Sequence, residues 1–93
     1  MVDAAGNIYI ADTYNSVIRK VDKITGNIST FAGSFYGYAG DGGPATGAAM
    51  RYPTGLAMDS AGDLYISDQF NDCIRKVTPG GIISTLAGKP INL

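Results

Sequence analysis

Three polar side chains recur at identical spacing, 56 positions apart, as Asp12 and Asp68, Asn15 and Asn71, and Arg19 and Arg75. Such a set could act as ligands repeated around one rim, since carboxylates, amides and guanidinium groups all hydrogen-bond polar ligands. A structural interpretation competes with this one: the Asp accepts backbone N–H bonds in a turn, and the Asn takes a left-handed conformation. We favour the structural interpretation, because an identical turn needs an identical solution in each copy.

Arg19 and Arg75 each stand in the middle of an otherwise apolar stretch. A partly buried guanidinium needs a carboxylate, and Arg can bind one through two parallel hydrogen bonds. We therefore expect a bidentate bond to Asp12 or Asp68, or to a carboxylate of a neighbouring repeat, rather than a substrate-binding role.

The residue types that most often carry catalysis or bind metals are scarce. The chain has no His and one Cys, which excludes Ser-His-Asp and Cys-His nucleophile pairs within one chain type and removes the usual zinc ligands. Calcium needs only oxygen ligands, but Asp63, Asp68 and Asp72 are separated by strand and turn. We assign no catalytic, cofactor-binding or metal-binding residue, predict no enzyme activity, and expect Cys73 to be a buried, unreactive thiol.

Charge and hydropathy set further bounds. The formal net charge is −1 and the seven Lys and Arg are scattered, which argues against a nucleic-acid-binding face. No apolar run approaches the roughly 20 residues of a membrane span. All eight acidic residues are Asp, which favours turns over helix interiors and so indicates an all-β chain. The compartment stays unknown.

The chain is an internal repeat. Residues 2–23 align on 58–79 with 11 of 22 positions identical, and residues 26–33 align on 81–88 with 6 of 8 identical. Repeats of this length made of strands and turns are typical of arrays of equivalent units. We predict a first unit over 1–33, a Gly-rich connecting loop over 34–51, a second unit over 52–88 and a tail over 89–93.

Each unit is predicted to be an antiparallel meander of short strands joined by Gly, Asp and Asn turns. The second unit has four predicted strands and the first lacks most of its first strand, which gives predicted strands at 7–11, 17–21, 27–31, 55–59, 64–67, 73–77 and 82–86. The segments 8–11 (IYIA) and 64–67 (LYIS) are apolar at nearly every position. This pattern predicts burial on both faces between neighbouring units, by Tyr9, Ile10, Tyr65 and Ile66.

The chain combines several specific motifs: 6–12 (GNIYIAD) and 62–68 (GDLYISD), the Asn-x-x-Ile-Arg-Lys-Val stretches at 15–21 and 71–77, and 39–45 (AGDGGPA). Together these motifs resemble the NHL-repeat β-propeller family. The last of these is similar to an insertion found in bacterial members. The family's Asn-His-Leu triplet reads NSV at 15–17 and NDC at 71–73, so nothing that depends on the imidazole carries over.

The resemblance implies two four-stranded propeller blades, the first truncated. Propellers close with about four to eight blades, so two blades cannot form a ring. We expect the chain to assemble with copies of itself, three chains giving six blades being favoured over two or four. An excised or engineered fragment without its own activity is an open alternative. The expected role is a non-catalytic scaffold or binding module; the alternative is part of a propeller lyase or hydrolase with a metal in the central channel.

The predicted connecting loop contains a Gly-rich stretch and several aromatic residues. Residues 37–43 (GYAGDGG) lack the Gly-Lys-Ser/Thr ending of a phosphate-binding loop, so a flexible connection is the better interpretation. Aromatic side chains could stack on a partner or a sugar at an edge of the ring, although packing over neighbouring strands is favoured. These aromatics are Tyr14, Phe35, Tyr36, Tyr38, Tyr52 and Phe70.

Overall fold

The computed structural model describes residues 1–88, so the predicted tail at 89–93 lies outside the described residues. The described chain consists of β-strands, turns and three single turns of 3-10 helix at 13–15, 45–47 and 69–71. The strands are β1 (Ile8–Asp12), β2 (Val17–Val21), β3 (Ile28–Ala32), β4 (Phe35–Tyr36), β5 (Ala49–Met50), β6 (Pro53–Met58), β7 (Leu64–Asp68), β8 (Cys73–Val77) and β9 (Ile83–Gly88).

Two antiparallel meanders account for most of the strands. The first sheet has the order β1-β2-β3 and the second sheet the order β6-β7-β8-β9, while β4 and β5 form a small parallel pair between them. The all-β, antiparallel class predicted from the sequence is therefore confirmed. The first sheet has three named strands, and only an isolated bridge between Val2 and Ile8 marks the position of a fourth.

The turns that join β1 to β2 and β7 to β8 have the same geometry. Each is a turn of 3-10 helix followed by a left-handed residue, Ser16 with φ 59° and Asp72 with φ 56°. The expectation that Asn15 and Asn71 take this conformation is wrong. Their side-chain amides bond the Asp three residues earlier instead. The left-handed residue is the following one, Ser16 or Asp72, and its own N–H closes the turn by bonding the carbonyl three residues before it.

The core lies between the two sheets. Tyr9, Ile18 and Ala32 of the first sheet form one apolar cluster with side chains of the second sheet. The second-sheet members are Leu64, Ile66, Val77 and Ile83, all of them fully buried. Burial of this apolar surface is the main favourable contribution to joining the sheets.

The strands predicted to be buried on both faces are covered on one face only. Tyr9 and Ile66 pack between the sheets, whereas Ile10 is 41% exposed and Tyr65 is half-buried on an outward face. The physical reason is that each sheet meets a single neighbouring sheet within the described residues. Across residues 1–88, no helix has the length and apolar character needed to cross a bilayer.

Candidate functional site

The Asp–Asn–Arg set of the second sheet forms a buried polar centre. Arg75 and Asp68 have fully buried side chains, and the Arg75 Nη1 donates to Asp68 Oδ2 at 2.9 Å. The Asn71 amide donates to the same oxygen at 2.8 Å, and the backbone N–H of Arg51 bonds Asp68 Oδ1 at 2.7 Å. The ion pair is therefore not the bidentate one expected, because the other carboxylate oxygen is taken by the backbone. Nor does Asp68 cap its own turn with a side-chain bond.

Segment 34–51, which we call the connecting segment, supplies the remaining partners of Arg75. The guanidinium donates to the carbonyl oxygens of Ala49 at 2.9 Å and Ala39 at 3.0 Å, and to Asp41 Oδ1 at 3.1 Å. The ring of Tyr38 lies 4.8 Å from the Arg75 Cζ. A buried charge is tolerated when it is paired and hydrogen-bonded. The Nη1 and Nη2 atoms of Arg75 meet this requirement with two bonds each, whereas its buried Nε has no hydrogen-bond partner among the described residues.

Asp41 links the connecting segment to the last strand of the second sheet. Its Oδ2 accepts hydrogen bonds from the hydroxyl groups of Thr85 at 2.6 Å and Tyr38 at 2.9 Å. Partial burial works to raise the pKa of Asp41, but the bonds from Thr85 and Tyr38 and the nearby Arg75 charge outweigh it and lower the pKa. The segment interpreted from the sequence as a flexible connection thus contributes a carboxylate to a buried centre.

Sequence reasoning missed Asp41 and Thr85. Gly-rich stretches carry no periodicity that reveals which side chain turns inward, and backbone carbonyl acceptors carry no residue signature. The available signal was Arg75 itself, since a mid-strand guanidinium has five donors and one turn carboxylate cannot satisfy them.

The equivalent set in the first sheet is much more exposed than the set in the second sheet. Arg19 Nε pairs with Asp12 Oδ2 at 3.1 Å, with side chains 34% and 31% exposed against 0% for both residues of the Arg75–Asp68 pair. Asn15 donates to both oxygens of Asp12, and Arg19 Nη1 donates to the hydroxyl of Thr30 at 2.8 Å. The bonds from Asn15 and then from Arg19 lower the pKa of Asp12.

A second pair of side chains repeats in the two sheets and has a structural role. The Tyr65 hydroxyl donates to Asp59 Oδ2 at 2.8 Å, while Asp59 Oδ1 accepts backbone N–H bonds from Ala61 and Asp63. Tyr9 and Asp3 repeat this contact at 3.1 Å. Burial, together with the Asp3 carboxylate, raises the pKa of Tyr9 to about 12.

Four of the six predicted aromatic residues meet in an aromatic cluster. Tyr52 lies at its centre, with ring centroids 5.6 Å from Tyr14, 5.2 Å from Tyr36 and 4.8 Å from Phe70. Tyr14 is 87% exposed, and Tyr36 and Phe70 are more than half exposed. The other two lie elsewhere: Tyr38 is part of the Arg75 centre, and Phe35 is exposed on β4.

Groups suited to metals or covalent chemistry are few in the described part of the chain. Within residues 1–88, no three His, Cys, Asp or Glu side chains lie close enough together to hold a metal ion. Cys73 is buried, and burial, reinforced by the neighbouring Asp68 carboxylate, raises the pKa of its thiol to about 11.

Comparison with known proteins identifies relatives of the chain. Residues 36–92 match the family model of the Teneurin NHL domain. Teneurin-3 of Danio rerio is 36% identical over 96 residues, a match covering 89% of this chain and 4% of that protein. Protein SUPPRESSOR OF QUENCHING 1, chloroplastic, of Arabidopsis thaliana is 40% identical over 73 residues, covering 77% of this chain and 7% of that protein.

A solved structure shows the same fold. A protein of unknown function from Bacteroides thetaiotaomicron VPI-5482 superposes with a TM-score of 0.77 at 31% identity, over 91% of this chain and 22% of that one. The chain spans less than a tenth of the length of the two relatives named above. The family model covers more than half of the chain and includes the NHL-type motifs of the second repeat, which the first repeat shares at the sequence level. The chain therefore belongs to the Teneurin NHL domain family of NHL-repeat β-propellers.

Proposed function

We propose that the chain is a non-catalytic propeller module that assembles with copies of itself into a closed ring and serves as a scaffold or binding surface. Membership of an NHL-repeat family supports the general role of a β-propeller binding or scaffold module. One observation carries the self-assembly: each sheet has an uncovered apolar face, and its counterpart in the other sheet is buried between the sheets.

Each sheet has two faces. The trailing face is the one that the first sheet turns towards the second, and the leading face is the one that the second sheet turns towards the first. The leading face carries Ile8, Ile10 and Ile28 in the first sheet and Leu64, Ile66 and Ile83 in the second. The trailing face carries Tyr9, Ile18 and Phe31 in the first sheet and Tyr65, Ile74 and Leu86 in the second. Within the chain, the trailing face of the first sheet packs on the leading face of the second.

The two faces left uncovered are the counterparts of the two that are packed. On the leading face of the first sheet, Ile8 is 43% and Ile28 is 61% exposed, whereas the matching Leu64 and Ile83 are fully buried. On the trailing face of the second sheet, Leu86 is 54% exposed. Exposed apolar patches of this kind mark interaction surfaces.

A second copy can therefore repeat the internal interface from chain to chain. Such a head-to-tail contact is heterologous, and it generates a ring when the rotation closes. Propellers have about four to eight blades, so two, three or four chains fit the closure, and we favour three.

Light scattering across a dilution series tests this proposal. A discrete native mass of two, three or four chains is expected, with the mass held on dilution because each interface repeats a packed apolar core. A monomer at all concentrations would overturn the self-assembly and leave a portion of a longer propeller as the explanation.

The aromatic cluster is the surface we propose for a binding partner of the module. Tyr14 and Phe70 project from it with most of their area exposed, and rigid aromatic side chains contribute large contact areas at low entropic cost. Screening the purified chain and a Tyr14→Ala, Phe70→Ala variant on a peptide and glycan array tests this surface. A binder retained in full by the variant would place the partner elsewhere.

A further inference from the structure

We propose that the exposed polar set of the first sheet is an acceptor site for a Gly-rich, carboxylate-bearing peptide segment of the same kind as the connecting segment. The acceptor site consists of Asp12, Asn15, Arg19 and Thr30. The chemistry of its ligand follows from the second sheet, where the matching residues already bind the connecting segment.

The occupied version shows what such a segment provides. It places two backbone carbonyls and the Asp41 carboxylate on Arg75, at 2.9 to 3.1 Å. It also accepts a bond from Asn71 at the Gly37 carbonyl, 2.9 Å, and stacks Tyr38 against the guanidinium. All of these contacts come from residues 34–51 and involve side chains that the two repeats share.

In the first sheet the same side chains bond one another instead. Within the described part of the chain, Asn15 directs its amide only to Asp12. Thr30 accepts from Arg19, whereas the matching Thr85 donates to Asp41. Among residues 1–88, Arg19 Nη2 makes no hydrogen bond, while Arg75 Nη2 makes two. The acceptor site therefore has a free cationic donor where a carbonyl and a carboxylate bind in the second sheet.

The edge of β1 beside the acceptor site is also unpaired within the described residues. Met1 and Tyr9 exchange backbone bonds at 2.8 and 3.0 Å, but β1 pairs with no further residue of the described chain on that edge towards Asp12. In the second sheet this edge is filled by β6, which follows directly on the connecting segment and pairs Leu56 with Ile66 and Pro53 with Asp68. A segment equivalent to 34–56 would thus add a strand to β1 and place its carboxylate on Arg19 in a single binding event.

The acceptor site lies on the leading face of the first sheet, because Arg19 pairs with Ile10 and with Thr30, but its ligand is the Asp-bearing segment and not the trailing face of a second sheet. The test uses the isotope-labelled chain with Leu86→Asp, a substitution on the trailing face that removes the proposed self-association and leaves the acceptor site unchanged. A synthetic peptide of residues 34–56 is titrated to millimolar concentration and followed by NMR. The native mass of the unaltered chain tests the self-assembly whether or not the peptide binds, so either proposal can fail without the other.

The expected result is a set of saturable shifts at the backbone amides around Asp12, Asn15, Arg19 and Thr30. The same peptide with Asp41→Asn should bind about 10-fold more weakly, a loss of about 1.4 kcal/mol, because the acceptor of the Arg19 guanidinium no longer carries a charge. Arg19→Gln in the chain should cause a similar loss, while Lys23→Gln, which removes an exposed charge outside the site, should not. Absence of shifts, shifts centred elsewhere, or equal binding of the peptides with and without the Asp41→Asn substitution would overturn the proposal.

Discussion

Arg19 and Arg75 occupy one position of the repeat in two different environments. The Arg75 side chain is fully buried and surrounded by carboxylate and carbonyl oxygens, whereas the Arg19 side chain is 34% exposed. An ion pair near water contributes little, because solvent screens it. Removing one partner of a buried pair is costly, because the other charge is left uncompensated.

Replacing each arginine with methionine should separate these environments. Arg75→Met leaves Asp68 buried without its counter-charge and should lower the free energy of unfolding by about 3–5 kcal/mol. Arg19→Met, the matched control, should lower it by about 1 kcal/mol or less. Urea unfolding of both variants measures the difference, and equal losses would contradict the assigned burial.

The Asp41 carboxylate should make stability depend on pH. Its pKa in the folded chain lies below the ordinary value of 3.8, so between these two pKa values the unfolded chain binds more protons. The stabilisation is complete above 3.8 and is lost as the pH falls through the lower, folded value. At neutral pH, Asp41→Asn should cost about 1 kcal/mol.

Acid titration of both proteins checks this account of Asp41. The stability difference between the wild-type chain and the Asp41→Asn variant should narrow as the pH drops below 3.8. A difference that is constant from neutral to acid pH would mean that the ionised carboxylate is not what holds the connecting segment.

Cys73 should react slowly with thiol reagents in the folded chain. Its thiol is buried, and burial raises its pKa to about 11, so little thiolate exists at neutral pH. Labelling with a maleimide, with the urea-unfolded chain as control, should be much slower in the native state. Rapid stoichiometric labelling of the native protein would place the side chain on an open face.

At the scale of elements, the end of β3 fixes where the connecting segment begins. Gly33 has φ +88°, and its N–H bonds the Ala45 carbonyl at 2.8 Å. A Cβ at this position would meet the carbonyl oxygen of Ser16 and lie 2.7 Å from the Met50 Cε. Gly47, within the same segment, has nothing within 4 Å of such a Cβ and no positive φ.

Alanine substitutions at Gly33 and Gly47 should therefore change the free energy of unfolding differently, in sign or in size. Gly33→Ala combines a left-handed conformation with a backbone clash and should cost more than about 1 kcal/mol. Gly47→Ala should be neutral or stabilise the fold by roughly a few tenths of a kcal/mol, because it restricts the unfolded chain. Thermal unfolding of the two variants measures both effects. A Gly33→Ala variant as stable as the wild-type chain would contradict the close approach of Gly33 to Ser16 and Met50.

The sequence predicted the elements better than their partners. Strand periods and repeated Gly and Asp turns located β1–β3 and β6–β9 to within one or two residues at most ends, because these signals are local. The left-handed positions were misplaced by one residue, since Asn71 and Asp72 are both suited to such a turn. The role of Asp41 depends on a fold-back of the connecting segment, which no local pattern encodes.

At the scale of the whole molecule, two equivalent sheets share one internal interface. This leaves one leading face and one trailing face uncovered, each a copy of a surface that is buried within the chain. The sequence indicated the need for neighbours through the apolar strands at Tyr9 and Tyr65, but not which face would meet which. That pairing follows from the structure, where Leu64 and Ile66 of one sheet pack with Tyr9 and Ile18 of the other.

The pairing of leading with trailing face is the central claim, and mixing two blocked variants tests it most directly. Ile28→Asp blocks the leading face of the first sheet and Leu86→Asp the trailing face of the second, at side chains 61% and 54% exposed, so both variants should stay folded. Each alone should be a monomer by light scattering, and an equimolar mixture should form a two-chain species and nothing larger. Self-association of either variant alone, or a mixture that stays monomeric, would contradict the head-to-tail assembly.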